Sequence, residues 1–513
     1  MEILSSTTTF SLLVITFITI IVFKFLASLH RQQNYWKNHN VPYIKPVPVL
    51  GPALKFLLRQ ITFIEYSELV YNSYSNARYI GTMNSSLPNL VIRDPELIRE
   101  ITVKYFDHFT DHKAFVDEDI EPLFSKNVFM LRGERWREMR NILTPTFTAN
   151  KMKFMFELVS KCSQQFVDYL YDHPEEFSSL DAKDAFGRYT NDVIATVAFG
   201  VSVNSLKDRD NEFYRKGKSA FSGLFGNVGK LTLMGICPAL FKITGITLIP
   251  RDTTDFFRAV ILEALKAREK DGIVRQDMLN LLIQAKDKDK PTVHQMTVDD
   301  IVSQALIFFL AGLDSTSNLM SYMAYELALC PDAQERLRKE IDGCLQEGNG
   351  EISYETLTKM EYMDMVVSET LRKNPGVVFM DRVCTRKFEF PPAEPGYGSP
   401  TMYPGETIWL PVYALHHDPK YFPDPEKFDP ERFSEENKSN VVPYTYLPFG
   451  AGPRKCIGDR FAMMETKILM VQLLHKFILK PIEKTQIPMV FQKNTFIPTP
   501  EKGFWIGLEK RVS

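Results

Sequence analysis

Cys456 stands in the stretch FGAGPRKCIG, residues 449–458, among three glycines, with Arg454 and Lys455 just before it. A long amphipathic segment, DRFAMMETKILMVQLLHKF, follows directly. A thiol placed this way has three chemical uses: a buried structural group, a nucleophile or a metal ligand. A helix start offers free N–H groups and the positive dipole end, and with the two basic residues this favours the thiolate. A nucleophile needs a partnered base, yet no motif ties His416, His417 or His475 to the loop. His416-His417-Asp418 are sequence neighbours, which rarely chelate one ion together. A metal already held by a planar macrocycle needs only one protein ligand. Glycines at 450, 452 and 458 would let the backbone turn tightly or approach such a flat ligand.

Four other stretches carry chemistry-bearing residues. Glu369 and Arg372 in ETLR lie one helical turn apart and share a face, as a salt bridge would. Trp136 and Arg140 in WREMR have the same-face spacing i, i+4. AGLDST, residues 311–316, puts Asp314, Ser315 and Thr316 inside the longest helical pattern, and FDPERF adds Arg432.

Taken in chain order, from Trp136 to Gly458, the five stretches resemble the cytochrome P450 superfamily. FGAGPRKCIG is similar to its haem-binding loop at Phe449, Gly452, Arg454, Cys456 and Gly458. ETLR resembles its Glu-x-x-Arg helix, FDPERF the segment that completes that ion cluster, WREMR its Trp-x-x-x-Arg, and AGLDST its oxygen-activation motif. The resemblance implies haem b with Cys456 as axial ligand to the iron, where a thiolate favours O–O cleavage. It implies Phe449 shielding the sulfur, and Trp136, Arg140, Arg382 and Arg454 holding the propionates, which suit the bidentate guanidinium. Glu369, Arg372 and Arg432 would fix the fold. Ala311 and Gly312 would leave room beside the haem, and Asp314 would relay protons. Ser315 stands where the family commonly has Thr: it keeps the hydroxyl and loses the methyl that limits rotamers. Thr316 offers a second hydroxyl.

The regions that border the pocket in this family are Phe-rich here. Phe115, Phe308, Phe309, Val378, Phe379 and Phe496 are candidate walls for a lipophilic substrate. No Gly-rich nucleotide loop follows a strand, so NADPH would act indirectly, through NADPH–cytochrome P450 reductase, with cytochrome b5 as a second partner. Arg135, Arg137, Lys455 and Lys467 are candidate docking charges. NVPYIKPVPVLG, FMDRVCT and GFWIGLEKR resemble insect microsomal members associated with xenobiotic metabolism.

The elements that must position these residues are mostly helical. The 513 residues, 44% apolar with 38 Phe, can bury a large core, and a net charge of −2 argues against nucleic acid as partner. Six cysteines without a CxxC pair suggest a reducing compartment. Apolar spacing predicts helices over 152–172, 297–330 and 363–374, the second stopped by Pro331 and free to kink locally at Gly312. Short strands are expected only late, around 377–390, 407–411 and 487–506. The expected fold is mainly α with a minor β-sheet region. One catalytic domain, 53–513, would follow an N-terminal signal anchor (1–30) and a basic, proline-rich hinge (31–52). The anchor would hold the protein in the endoplasmic reticulum membrane with its catalytic domain in the cytosol. The apolar segment 223–246, broken by Gly and Pro, reads equally as a buried connection or as a patch that dips into the membrane.

Overall fold

Apolar residues at three- and four-residue spacing generate the helices that carry the site. In a computed structural model, which describes residues 16, 19, 30, 32–45, 53–84, 87–271, 278–286 and 296–511, seven of these helices matter here. They are α1 (Gly133–Leu143), α2 (Ala149–Asp172), α3 (Ala182–Ile194), α4 (Val298–Ala311), α5 (Ser317–Leu329), α6 (Glu361–Lys373) and α7 (Asp459–Lys476). On α2 the buried positions Met152, Met155, Phe156, Val159, Phe166, Val167 and Leu170 form one stripe, and it packs on α7. Helix α5 is buried on nearly all sides, so it runs through the middle of the core.

The long helix predicted over 297–330 is interrupted at Gly312, the position where a local kink is expected. Thr297 caps α4 as expected: it accepts from the Asp300 N–H at 3.2 Å, while the Asp300 carboxylate accepts from the Thr297 N–H at 2.8 Å. Between α4 and α5, however, Gly312–Thr316 form a π-helical turn. The widened turn alters the backbone ladder, and the Leu313 carbonyl accepts from two side chains, Ser317 Oγ at 2.7 Å and Thr190 Oγ1 of α3 at 2.9 Å.

The sheets also depart from expectation. The strands are β1 (Tyr79–Asn84), β2 (Leu87–Ile92), β3 (Leu180–Asp181), β4 (Met380–Val383), β5 (Phe388–Glu389), β6 (Thr401–Met402), β7 (Thr407–Leu410), β8 (Phe477–Lys480) and β9 (Trp505–Lys510). The main sheet has the order β1-β2-β7-β4, with β2 parallel to β7 (Asn89 opposite Thr407) and β4 antiparallel to it (Arg382 opposite Ile408). Half of this sheet lies early in the chain. In β2 the consecutive residues Leu90, Val91 and Ile92 are all fully buried, so the period-two signal that marks a strand is missing. The strand expected over 487–506 reduces to an isolated Phe491–Pro500 bridge and the first residues of β9.

Residues 32–45 belong to the folded domain, which shifts the expected hinge boundary. Trp36 is buried, and its indole N–H donates to the Thr82 carbonyl at 2.7 Å. Tyr43 bridges Gly81, where an added Cβ would fall 2.6 Å from the Trp36 ring. Apart from Thr16, Thr19 and His30, the expected anchor (1–30) lies outside the described residues, as does the proline-rich part of the hinge, 46–52. Among the described residues no helix is long and apolar enough to cross a membrane.

The segment 223–246 is not a buried connection. Its helices Val228–Ile236 and Pro238–Thr244 leave Leu233, Ile236, Leu240 and Ile246 exposed, and Ile243 is 86% exposed.

Candidate active site

Backbone hydrogen bonds and two left-handed glycines close the loop around Cys456. The Cys456 N–H donates to the Phe449 carbonyl at 2.9 Å and the Lys455 N–H to that of Gly452 at 3.0 Å. Gly450 and Gly452 have φ of +81° and +71°, where side chains other than glycine are strained. At Gly452 a Cβ would also fall 1.8 Å from the Thr102 carbonyl oxygen. Gly458 differs: its φ is −97° and a Cβ there would meet open space, so packing within the chain does not require glycine.

Cys456 is crowded by protein yet exposed at its surface, as is a residue that lines a hollow. Burial pushes its thiol up, against the lowering influence of the Gly458 N–H, Arg140 and Lys455. Thiolate stabilisation by the two neighbouring basic residues is therefore weaker than the sequence suggests. Lys455 is paired with Asp459 at 2.6 Å, and Arg454 points elsewhere. Its Nε donates to the Thr110 carbonyl at 2.7 Å and one Nη to the Leu131 carbonyl at 2.8 Å, and its guanidinium lies 4.0 Å from the Trp136 ring centroid. Asp111 sits 3.4 Å away.

Arg454 is pushed down to about 9, first by burial, with neighbouring Arg382 adding to the effect. Arg382, on β4, is fully buried, and its Nε has no hydrogen-bond partner among the described residues. Two buried guanidinia in one neighbourhood, one with an unused donor, fit a ligand that brings carboxylates. Beside them His112 Nδ1 lies 2.9 Å from Asp381 Oδ1, a pair that sequence reading missed because neither residue stands in a recognisable spacing. Arg140 donates to the Lys455 carbonyl at 2.8 Å and lies close enough to Cys456 to be influenced by its charge.

The other side of the site is the π turn, against which α7 packs. Ala311 and Ser315, four residues apart on an otherwise buried stretch, are exposed, whereas Thr316 is buried. Ser315 Oγ donates to the Ala311 carbonyl at 2.5 Å. Gly312 does not create space beside these residues: a Cβ on it would fall 2.6 Å from Ile194 Cδ1, so its smallness serves the approach of α3. Asp314 is held by two residues that sequence reading did not single out, Lys183 of α3 and Asn318 of α5.

Glu369, Arg372 and Arg432 come together away from the loop. Arg372 Nε and Nη2 grip the two Glu369 oxygens at 2.7 and 2.9 Å, both side chains are fully buried, and Arg432 Nε lies 3.5 Å from Glu369.

The apolar candidates divide. Phe309 is core, packed among Phe199, Phe213 and Phe257, and Val378 is buried beside Ile64 and Tyr413. Neither offers surface to a pocket. Phe308 stacks on Phe147, and Phe115 meets Phe124, Phe129 and Phe225; each is part-exposed. Phe379 and Phe496 join a separate aromatic group around Phe63. Of the candidate docking charges, Lys467 is buried and paired with Asp364, and Arg137 is paired with Asp107 at 2.6 Å.

A cysteine on a glycine-shaped loop, buried guanidinia suited to carboxylates and a widened helix turn with an acid and a hydroxyl fit a haem-thiolate monooxygenase. The chain belongs to the cytochrome P450 family, whose profile matches residues 41–506. It is 43% identical to cytochrome P450 9e2 of Blattella germanica over 512 residues, covering 94% of each chain. It is 38% identical to probable cytochrome P450 9f2 of Drosophila melanogaster (93% of this chain, 95% of that one). With cytochrome P450 6j1 of Blattella germanica it shares 36% identity (96% and 97%). The haem such enzymes carry supplies dioxygen binding and O–O cleavage. The residues here would seat it, exclude water and move protons.

Proposed function

We propose that this protein uses NADPH-derived electrons and dioxygen to insert one oxygen atom into lipophilic substrates of the xenobiotic kind, such as plant chemicals or insecticides. Cys456 would hold the haem iron, Arg382, Arg140 and Trp136 would seat the propionates, and Arg454 braces the loop behind them. Asp314 and Ser315 handle protons. The observation that carries this reading is the pairing of an open Cys456 with open Ala311 and Ser315 on an otherwise buried helix. Insect relatives across the full length and part-exposed Phe115 and Phe308 support the substrate class. Electrons come from NADPH–cytochrome P450 reductase, assisted by cytochrome b5, at the endoplasmic reticulum membrane. The exposed apolar row at Leu233, Ile236, Leu240, Ile243 and Ile246 suits a membrane surface.

The test is the carbon monoxide difference spectrum of the reduced protein, followed by turnover with reductase. A thiolate-type band that vanishes in Cys456→Ala, and product that requires both NADPH and dioxygen, are expected. A band that survives Cys456→Ala overturns the ligand. Product without NADPH would instead indicate a peroxide-rearranging isomerase.

A further inference from the structure

His416 is a fully buried imidazole that neither the haem seat nor the proton path uses, and both of its ring nitrogens are occupied. Nε2 accepts from the Leu447 N–H at 2.8 Å, so the proton sits on Nδ1, which faces the Arg372 carbonyl at 3.1 Å. The His416 carbonyl in turn accepts from Arg372 Nη1 at 2.9 Å. One residue thus touches the Glu369–Arg372 pair twice and the stem of the Cys456 loop once.

From Leu447 the chain of bonds continues to the ligand. The Leu447 carbonyl accepts from Gly450 N–H at 3.2 Å, and the Phe449 carbonyl accepts from Cys456 N–H at 2.9 Å. On the other side of the stem, the Tyr446 ring lies 5.4 Å from the imidazole, and its hydroxyl donates to the Ser368 carbonyl on α6 at 3.0 Å. Both residues that lead into the loop are therefore fastened to the helix that carries the ion cluster.

We propose that His416 is a positioning residue for the haem-thiolate loop: a neutral hydrogen-bonded bridge that transmits the rigidity of the Glu369–Arg372–Arg432 cluster to Leu447 and so fixes where Cys456 presents its sulfur. The proposal rests on Cys456 being the haem ligand. A neutral imidazole suits the role because it donates at one edge and accepts at the other, which no hydrocarbon or cation does. Burial, with His417 and Arg372 nearby, holds the ring down to about 3, so the bridge keeps its form throughout the working pH range.

The test compares His416→Gln, long enough to offer an acceptor to the Leu447 N–H, with His416→Asn, which is too short, and His416→Phe, which keeps ring bulk without either bond. The readout is the rate at which the reduced carbon monoxide complex changes from the thiolate-type to the thiol-type band, measured well below each melting temperature. His416→Asn is expected to convert about tenfold faster than the parent, the factor set by losing one buried hydrogen bond, and His416→Phe, which loses both, at least as fast. His416→Gln should stay within about threefold of the parent. If His416→Phe does not accumulate as a haem protein, the Gln–Asn pair decides. Equal rates for Gln and Asn, or parental rates in every variant that loads haem, overturn the proposal. A parent without a thiolate-type band would overturn the ligand assignment instead.

Discussion

Lys183 Nζ lies 2.7 Å from Asp314 Oδ1 and 3.1 Å from the Asp314 carbonyl oxygen. Asn318 Nδ2 donates to the other carboxylate oxygen at 2.9 Å. The Asp314 carboxylate is thus clamped between α3 and α5 in a mostly buried setting, and burial pushes the Lys183 ammonium down. Asp314→Asn removes the anion that sustains Lys183 and, on the proposed function, the group that carries protons. Product formation should fall about a hundredfold, the low end of what a positioned acid supplies, with a larger solvent deuterium isotope effect. Lys183→Met, which leaves the Asn318 bond in place, should lose much less. Rates of NADPH-supported turnover in light and heavy water check both.

Ser315 and Thr316 offer two hydroxyls, and their burial separates them. Ser315 is exposed and bonded to Ala311, while Thr316 is 2% exposed. Ser315→Ala should therefore divert more NADPH-derived electrons into hydrogen peroxide, whereas Thr316→Val should leave the ratio of product to NADPH near the parent value. Ser315→Thr restores a methyl that restricts rotation and should raise that ratio. Measuring peroxide and product together distinguishes these outcomes, and an inert Ser315→Ala would remove the hydroxyl from the proton path.

Breaking the Glu369–Arg372 pair strands a charge where no water reaches, because both side chains are fully buried. Arg372→Leu should cost about 3–5 kcal/mol and abolish haem loading. Arg432, 3.5 Å from Glu369 and partly exposed, should cost only about 1 kcal/mol as Arg432→Leu. Urea midpoints and haem content per folded chain report the two values.

The exposed row at Leu240 and Ile243 gives a separate test of membrane contact. For a chain that begins at residue 31, and so lacks the expected anchor, Ile243→Glu should weaken vesicle binding at least about tenfold, since inserting an isoleucine contributes about 1.5–3 kcal/mol. Cosedimentation with phosphatidylcholine vesicles measures it. Unchanged binding assigns the row to another use.

The candidate residues are more legible in the sequence than the scaffold that positions them. Cys456, Asp314 and the Glu369–Arg372 pair stand in spacings with a chemical reason, so the sequence alone offers them as candidates. Their partners could not: Lys183 meets Asp314, and His416 meets Leu447, across long sequence separations that no local pattern encodes. Strand β2 escaped because burial on both faces erased its alternation, and the π turn because the helix around it is buried on nearly all sides, so no apolar stripe records the extra residue. Phe309 was misplaced for a related reason. A phenylalanine on a central helix carries the same signal whether it lines a pocket or, as here, meets Phe213 and Phe257.

Glu465 on α7 is fully buried, and neither carboxyl oxygen has a hydrogen-bond partner among the described residues. Burial raises its pKa well above the ordinary carboxylate value, so the folded protein holds it as the neutral acid. In the unfolded chain the same group ionises at about 4.3. The folded state therefore binds the proton more tightly, and the stability this lends is complete below the unfolded pKa. It is lost as pH rises from there toward the folded pKa. Glu465→Gln keeps the shape and deletes the titration. The variant should match the parent near pH 4 and become progressively more stable than it above about pH 5, the range in which the unfolded carboxyl has ionised. Denaturant midpoints of both proteins at a series of pH values measure the difference. A gap that stays constant with pH would show that Glu465 is ionised and paired in the folded protein.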